Sequence, residues 1–156
     1  MSAAPRRSWD TGPTAFRPED PVVTDTSALV AILLDEPERD SFIALLADAE
    51  DPLISAATLV EASIVMQAKT GADGVADLDE LLAAAAVRCV AVDTTQARAA
   101  RAAFARFGKG RAPAGLNFGD CFSYALAQVT DRPLLFRGDD FTKTDVTPAA
   151  SDGGAL

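Results

Sequence analysis

Val22-Val23-Thr24-Asp25-Thr26-Ser27-Ala28-Leu29 is the stretch whose reading decides the fold. Three β-branched residues favour extended backbone, and Asp25 ends the run with a short carboxylate followed by two hydroxyl residues. A helix pattern then covers residues 27–34, so a strand ends in an acid and passes directly into a helix. The alternation continues outward. A second helix is expected over 37–49, with Pro37 suited to its first turn. Leu53-Ile54-Ser55 reads as a strand, 57–69 as a helix stopped by Gly71, and 75–86 as another helix. The clearest strand is 87–92. Asp93-Thr94-Thr95-Gln96 has the form of a capping box and opens a helix that ends at Gly108 and Gly110. A further helix starts near Gly119, and 133–136 is the last strand. Strands separated by helices long enough to be crossovers imply an α/β fold, a mainly parallel sheet flanked by helices on both faces. In such sheets sites form beyond the carboxyl ends of the strands.

The 156 residues suit one domain. Residues 1–20, with Pro5, Pro13 and Pro18 and no apolar period, are expected to be a flexible N-terminal arm. The folded unit is expected over 21–146, and 147–156 as a flexible C-terminal tail. The hydrophobic fraction of 49% with 24% charged residues belongs to a globular chain, and no apolar run reaches the roughly 18 residues of a membrane span. Arg6-Arg7 is followed by no apolar stretch that would make it an export signal, so the expected location is the cytoplasm. Cys89 and Cys121 lack metal-ligand spacing and are expected to be buried small hydrophobes.

The chain has no histidine, which excludes imidazole zinc sites, Ser-His-Asp triads and histidine acid-base chemistry. Carboxylates, hydroxyls, Lys and Arg remain. A formal net charge of −9 argues against a nucleic-acid partner until its distribution is considered. Between Thr94 and Gly119 there is no Asp or Glu, while Arg98, Arg101, Arg106, Lys109 and Arg111 supply +5, leaving −14 elsewhere. These five are the candidate contacts to a nucleic-acid backbone; the plainer alternative is a solvated helix face.

Asp25 lies at a strand end and Asp120 at a helix start, where each also has an ordinary capping role. Glu61 is harder to explain as scaffolding. At 100° per residue its angular neighbours are Ala57, Val60, Ile64, Val65 and Ala68, so it projects from an apolar arc and needs a cation, a hydrogen-bond partner or a raised pKa. Acids gathered at one place resist ionisation unless a hard divalent cation neutralises them, and oxygen-only ligation suits Mg2+ or Mn2+. Such an ion activates water and stabilises charge on a phosphoryl group.

The Val22-to-Leu29 stretch, Ser55-Ala56-Ala57-Thr58-Leu59-Val60-Glu61 and Gly115-Leu116-Asn117-Phe118-Gly119-Asp120 together resemble the PIN domain, specifically the VapC-type ribonuclease toxins of bacterial toxin–antitoxin pairs. The resemblance implies a parallel five-stranded sheet, Mg2+ or Mn2+ held by acids, and endoribonuclease activity on RNA. It assigns Asp25, Glu61 and Asp120 to the metal site, with Asp25 and Asp120 as direct ligands and Glu61 as ligand or water-orienting group. Thr26, Ser27 and Asn117 are candidates for holding these carboxylates. It further implies a homodimer and a small VapB-type antitoxin that covers the site. The sequence departs from the family near the last strand. Phe136-Arg137-Gly138 stands where many relatives carry Thr-x-Asp, so the fourth acid is assigned to Asp139, with Asp140 and Asp145 as alternatives. Among rival readings, a receiver domain wants paired acids after its first strand, and a haloacid-dehalogenase-like phosphatase wants Asp where Ser27 stands. A PIN fold kept as a non-catalytic binding or scaffold module is the more serious alternative.

Overall fold

Adjacent apolar residues in each strand point to opposite faces of the sheet, and this divides the interior into layers. Val23, Leu53 and Leu134 pack on one side with Leu116, Tyr124 and Leu126. Their neighbours Val22, Ile54 and Leu135 pack on the other, against two helical clusters. Runs that are apolar at every position, rather than at alternate ones, are the mark of strands covered on both faces. The computed structural model describes residues 20–149. The N-terminal arm expected over 1–20 lies outside the described residues except for Asp20.

Strand β1 (Val23–Thr24) runs into α1 (Thr26–Leu33), and α2 (Arg39–Asp48) follows. The second helix starts two residues after Pro37 because a turn closes first, with the Arg39 N–H donating to the Glu36 carbonyl at 3.0 Å. Strand β2 (Leu53–Ser55) leads directly into α3 (Ala56–Ala84), whose first turn is capped by Ser55. Gly71, at φ 70 and ψ −157, breaks α3 into two helical segments, a backbone state that an L side chain resists. Edge strand β3 (Arg88–Val90) precedes α4 (Thr94–Phe107). The capping box expected there is half formed: Asp93 accepts from the Gln96 N–H, but the Gln96 amide donates to the Ala91 carbonyl instead. Helix α5 (Phe118–Thr130) has the complete box, between Asn117 and Asp120, and β4 (Leu134–Leu135) ends the series.

The sheet is parallel with strand order β3-β2-β1-β4. Four strands are formed among the described residues, not the expected five. Beyond β4 the chain makes one parallel bridge, Leu134 to Pro148, with the Ala149 N–H donating to the Leu134 carbonyl at 2.9 Å. Ala149 is fully buried, so the packed chain extends three residues past the boundary expected at 146. Cys121 is buried as expected, whereas Cys89 is exposed because β3 is an edge strand with an open face. No helix of the described residues is long and apolar enough to cross a membrane.

Candidate active site

Strand order sets the site. The central strand β1 ends at Asp25, and β2 at its side sends out α3, which carries Glu61. The N-terminus of α5 brings Asp120 to the same end. All three acids line one cavity of about 740 Å³ at the carboxyl ends of the strands.

Asp25 is almost fully buried, and its carboxylate is held on both oxygens. Oδ2 accepts from the Ser27 hydroxyl at 2.7 Å and from the Ser27 N–H at 3.0 Å. Oδ1 accepts from the Ser123 hydroxyl at 2.5 Å, and Ser123 in turn stands 3.2 Å from the Thr58 hydroxyl. With the Ser123 proton given to Asp25, Thr58 is the donor, so a chain of hydroxyls from α3 and α5 ends on the strand acid. The capping role and a site role coexist at Asp25: the bond that starts α1 also fixes the carboxylate.

Glu61 is half-buried and, contrary to the core-facing position its apolar arc implied, does not face the core. The buried stripe of this part of α3 is Thr58, Ala62 and Met66, while Val60 and Ile64 are exposed. Glu61 instead looks into the cavity, where the Thr26 hydroxyl donates to Oε1 at 2.5 Å. Burial raises its pKa above the ordinary carboxylate value; the Thr26 bond opposes this and the Asp25 charge adds to it. Its other oxygen lies against Gly119, where even a methyl group would overlap it.

Asp120 is 8% exposed and closes the capping box, accepting from the Asn117 N–H at 3.0 Å while its own N–H donates to Asn117 Oδ1 at 2.9 Å. Its pKa is pushed up to about 7, chiefly by burial; the Asn117 bond opposes this, and repulsion from Asp25, Asp140 and Glu61 adds to it. Burial beside other carboxylates thus disfavours the charged form of Asp120, and a nearby cation would offset this. The donors are all oxygen, so in chemistry and charge the site fits a hard divalent cation such as Mg2+ or Mn2+. Among the described residues no group of three or more acids is already arranged around one ion, and one or two carboxylates with water completing the shell suffice for Mg2+.

Around the last strand the three candidates for the fourth acid have different surroundings. Neither Asp139 nor Asp140 lines the cavity, and the Asp139 carbonyl accepts from the Thr142 N–H and hydroxyl in an exposed turn. Asp140 is the one whose charge acts on Asp120. Asp145 is engaged elsewhere, accepting from the Tyr124 hydroxyl at 2.5 Å and pairing with Arg106 at 3.4 Å.

The basic strip is not brought to the acids. Arg98, Arg101 and Arg106 lie on α4, Lys109 and Arg111 on the loop after it, and none of the five lines the cavity. Arg101 borders an apolar groove of about 500 Å³ with Phe104, Phe118 and Phe122. The cations that do line the acid cavity are Lys69 and Arg137. Sequence reasoning also missed Ser123, Thr58 and Gly119. Ser123 had a signal, since it follows Asp120 by three residues and so shares its side of the helix.

A PIN-domain model matches residues 22–146, and the chain belongs to the PIN-domain family. Within that family it is 50% identical over 129 residues to ribonuclease VapC30 of Mycobacterium tuberculosis H37Rv, covering 83% of this chain and 98% of the relative. It is also 52% identical over 125 residues to a ribonuclease VapC of Mycolicibacterium smegmatis, covering 80% and 97%. The particular group it joins is thus the VapC ribonucleases. Among solved structures it resembles the sarcin-ricin-loop-cleaving toxin VapC20 of M. tuberculosis, with TM-score 0.67, 16% identity and coverage of 81% and 96%. A toxin–antitoxin complex from Klebsiella pneumoniae matches with TM-score 0.59 and 18% identity over 80% and 92% of the two chains. At these identities the structural likeness speaks for the fold.

Proposed function

We propose that this chain is a metal-dependent endoribonuclease that hydrolyses RNA phosphodiester bonds as the toxin of a toxin–antitoxin pair in the cytoplasm. The observation that carries the reading is the convergence of Asp25, Glu61 and Asp120, from three separate elements, into one cleft where hydroxyls and backbone N–H groups hold each carboxylate. The VapC ribonucleases to which the chain is similar support the same activity.

Asp25 and Asp120 would hold Mg2+ or Mn2+, with Asp140 in place of Asp139 as the fourth acid. Bound there, the ion supplies Lewis acidity and a more acidic water. Ser27 and Ser123 keep Asp25 aimed at the cleft, so the carboxylate needs little reorganisation when substrate arrives. Thr26 occupies one oxygen of Glu61 and leaves the group placed to orient water and accept its proton. The strip Arg98, Arg101, Arg106, Lys109 and Arg111 serves as the more distant contact with the RNA backbone.

Large apolar side chains stand exposed beside the site: Phe118 next to Gly119 on α5, and Val60 and Ile64 on either side of Glu61 on α3. A patch of this kind fits protein partners, here a second copy of the chain and a small antitoxin. An antitoxin cation placed among Asp25, Glu61 and Asp120 would neutralise them and stop cleavage. The test is growth arrest on expression of the chain alone, relieved by Asp25→Asn and by co-expression of a cognate antitoxin; equal harmlessness of wild type and Asp25→Asn in the native host removes the toxin role.

A further inference from the structure

We propose that Lys69 and Arg137 grip the RNA backbone on either side of the acid cleft, and that Arg137 reaches the substrate by leaving Glu36 and Glu38. This rests on the ribonuclease reading. Five carboxylates line the cleft, those of Asp25, Glu36, Glu38, Glu61 and Asp120, against two cations. A polyanion entering such a cleft is repelled unless cations meet its phosphates, and the α4 strip does not reach the lining.

Lys69 is exposed and forms no ion pair among the described residues. It follows Glu61 and Val65 at intervals of four residues, and all three line the cleft along α3. By helix rise alone it stands about 12 Å beyond Glu61, far enough to meet a phosphate other than the one being cut.

Arg137 stands at the opposite wall. Strand β1 lies between β2, which feeds α3, and β4, which feeds Arg137, so a backbone spanning the two cations passes over Asp25. The Arg137 N–H donates to the Ser27 hydroxyl at 2.9 Å, and Ser27 donates to Asp25. That anchor leaves the side chain free to move. Its guanidinium is 3.0 Å from Glu38 and 3.6 Å from Glu36, with the side chain 42% exposed. Solvent-exposed pairs of this kind are weak, while a planar guanidinium binds phosphate through two parallel hydrogen bonds. Glu36 and Glu38 therefore store the arginine at the cleft until a phosphate replaces them.

The test measures binding of a single-stranded RNA to the full chain in an Asp25→Asn background, where cleavage is suppressed, across a salt series. Lys69→Ala and Arg137→Gln should each lower the log–log salt slope by about 0.7, and Arg137→Lys should preserve it. Glu38→Gln should tighten binding several-fold, and that gain should largely vanish when Arg137→Gln is also present. Unchanged slopes in Lys69→Ala and Arg137→Gln would overturn the proposal, while wild-type RNA cleavage measured alongside shows whether the ribonuclease reading still stands. An equal gain from Glu38→Gln in both backgrounds overturns the hand-over. Loss of affinity for an acidic peptide partner but not for RNA in the Arg137→Gln protein assigns the cations to a protein partner instead, and also overturns it.

Discussion

Asp120→Asn should make the metal-free protein more stable at pH 8 while removing cleavage. The side chain is nearly buried among like charges, and its pKa is raised from 3.8 to about 7. The native chain therefore keeps a proton in a range where the unfolded chain has lost it. Stability from this source is fully present below pH 3.8 and is lost as pH rises through about 7. About three pH units at roughly 1.4 kcal/mol each would give about 4 kcal/mol if wholly realised. Repulsion from Asp25, Asp140 and Glu61 supplies part of the shift across an open cleft, where water and salt screen it, so about 2 kcal/mol is the expected loss. Asparagine does not titrate, and its amide oxygen can still accept from the Asn117 N–H that closes the α5 capping box. Urea unfolding in excess chelator should thus show the variant about 2 kcal/mol more stable at pH 8 and nearly equal to wild type at pH 4. Mn2+ should reverse the order at pH 8, since it binds the native wild type and not the variant. A variant no better off at pH 8 than at pH 4 would refute the reasoning, because the raised pKa would then have no energetic consequence.

Gly119→Ala should leave the fold intact, with a stability change of no more than about 1 kcal/mol since alanine favours helix. It should nevertheless cut RNA cleavage by about tenfold or more in a turnover assay, because the new methyl displaces the Glu61 carboxylate. Ser123→Ala removes a hydrogen bond to a buried carboxylate and should cost about 1.5–3 kcal/mol in denaturant unfolding, with slower cleavage in the folded fraction. Asp140→Asn should lower cleavage most at limiting Mn2+, whereas Asp139→Asn should match wild type at every concentration. Asp145→Asn should weaken stability through Tyr124 and leave cleavage unchanged, which separates its packing role from the cleft.

Elements with a local chemical cause could be read in the sequence. Asp25 and Asn117 announce α1 and α5 because their side chains cap the next N–H groups, and Gly71 announces the break in α3 because its backbone takes a positive φ. Asp25 and Asp120 were readable for a related reason: one sits where a strand ends and the other where a helix begins, and such positions are visible in one dimension. What required three dimensions was the choice among neighbours. Nothing along the chain distinguishes Asp139 from Asp140; what favours Asp140 is its charge acting on Asp120 across the fold. Glu61 was noticed for the wrong reason: its apolar flanks are surface residues beside the cleft, not core. Ser123 and Gly119 serve acids 98 and 58 residues away along the chain, and only the nearness of Ser123 to Asp120 on one helix face hinted at this locally. The fifth strand failed because only a single bridge forms beyond β4.

The most direct test of the whole account is cleavage of RNA by the purified chain, wild type against Asp25→Asn, in Mn2+ and in excess chelator. Asp25→Asn is the sharpest variant because it keeps the side chain's shape and an oxygen for the Ser27 donors, lets the Ser123 hydroxyl turn to accept from the new amide, and removes the charge. The account predicts that wild type cuts RNA in Mn2+, that chelator stops it, and that the folded Asp25→Asn protein is inactive in both. Equal cleavage by the two proteins, or cleavage undiminished by chelator, would contradict it.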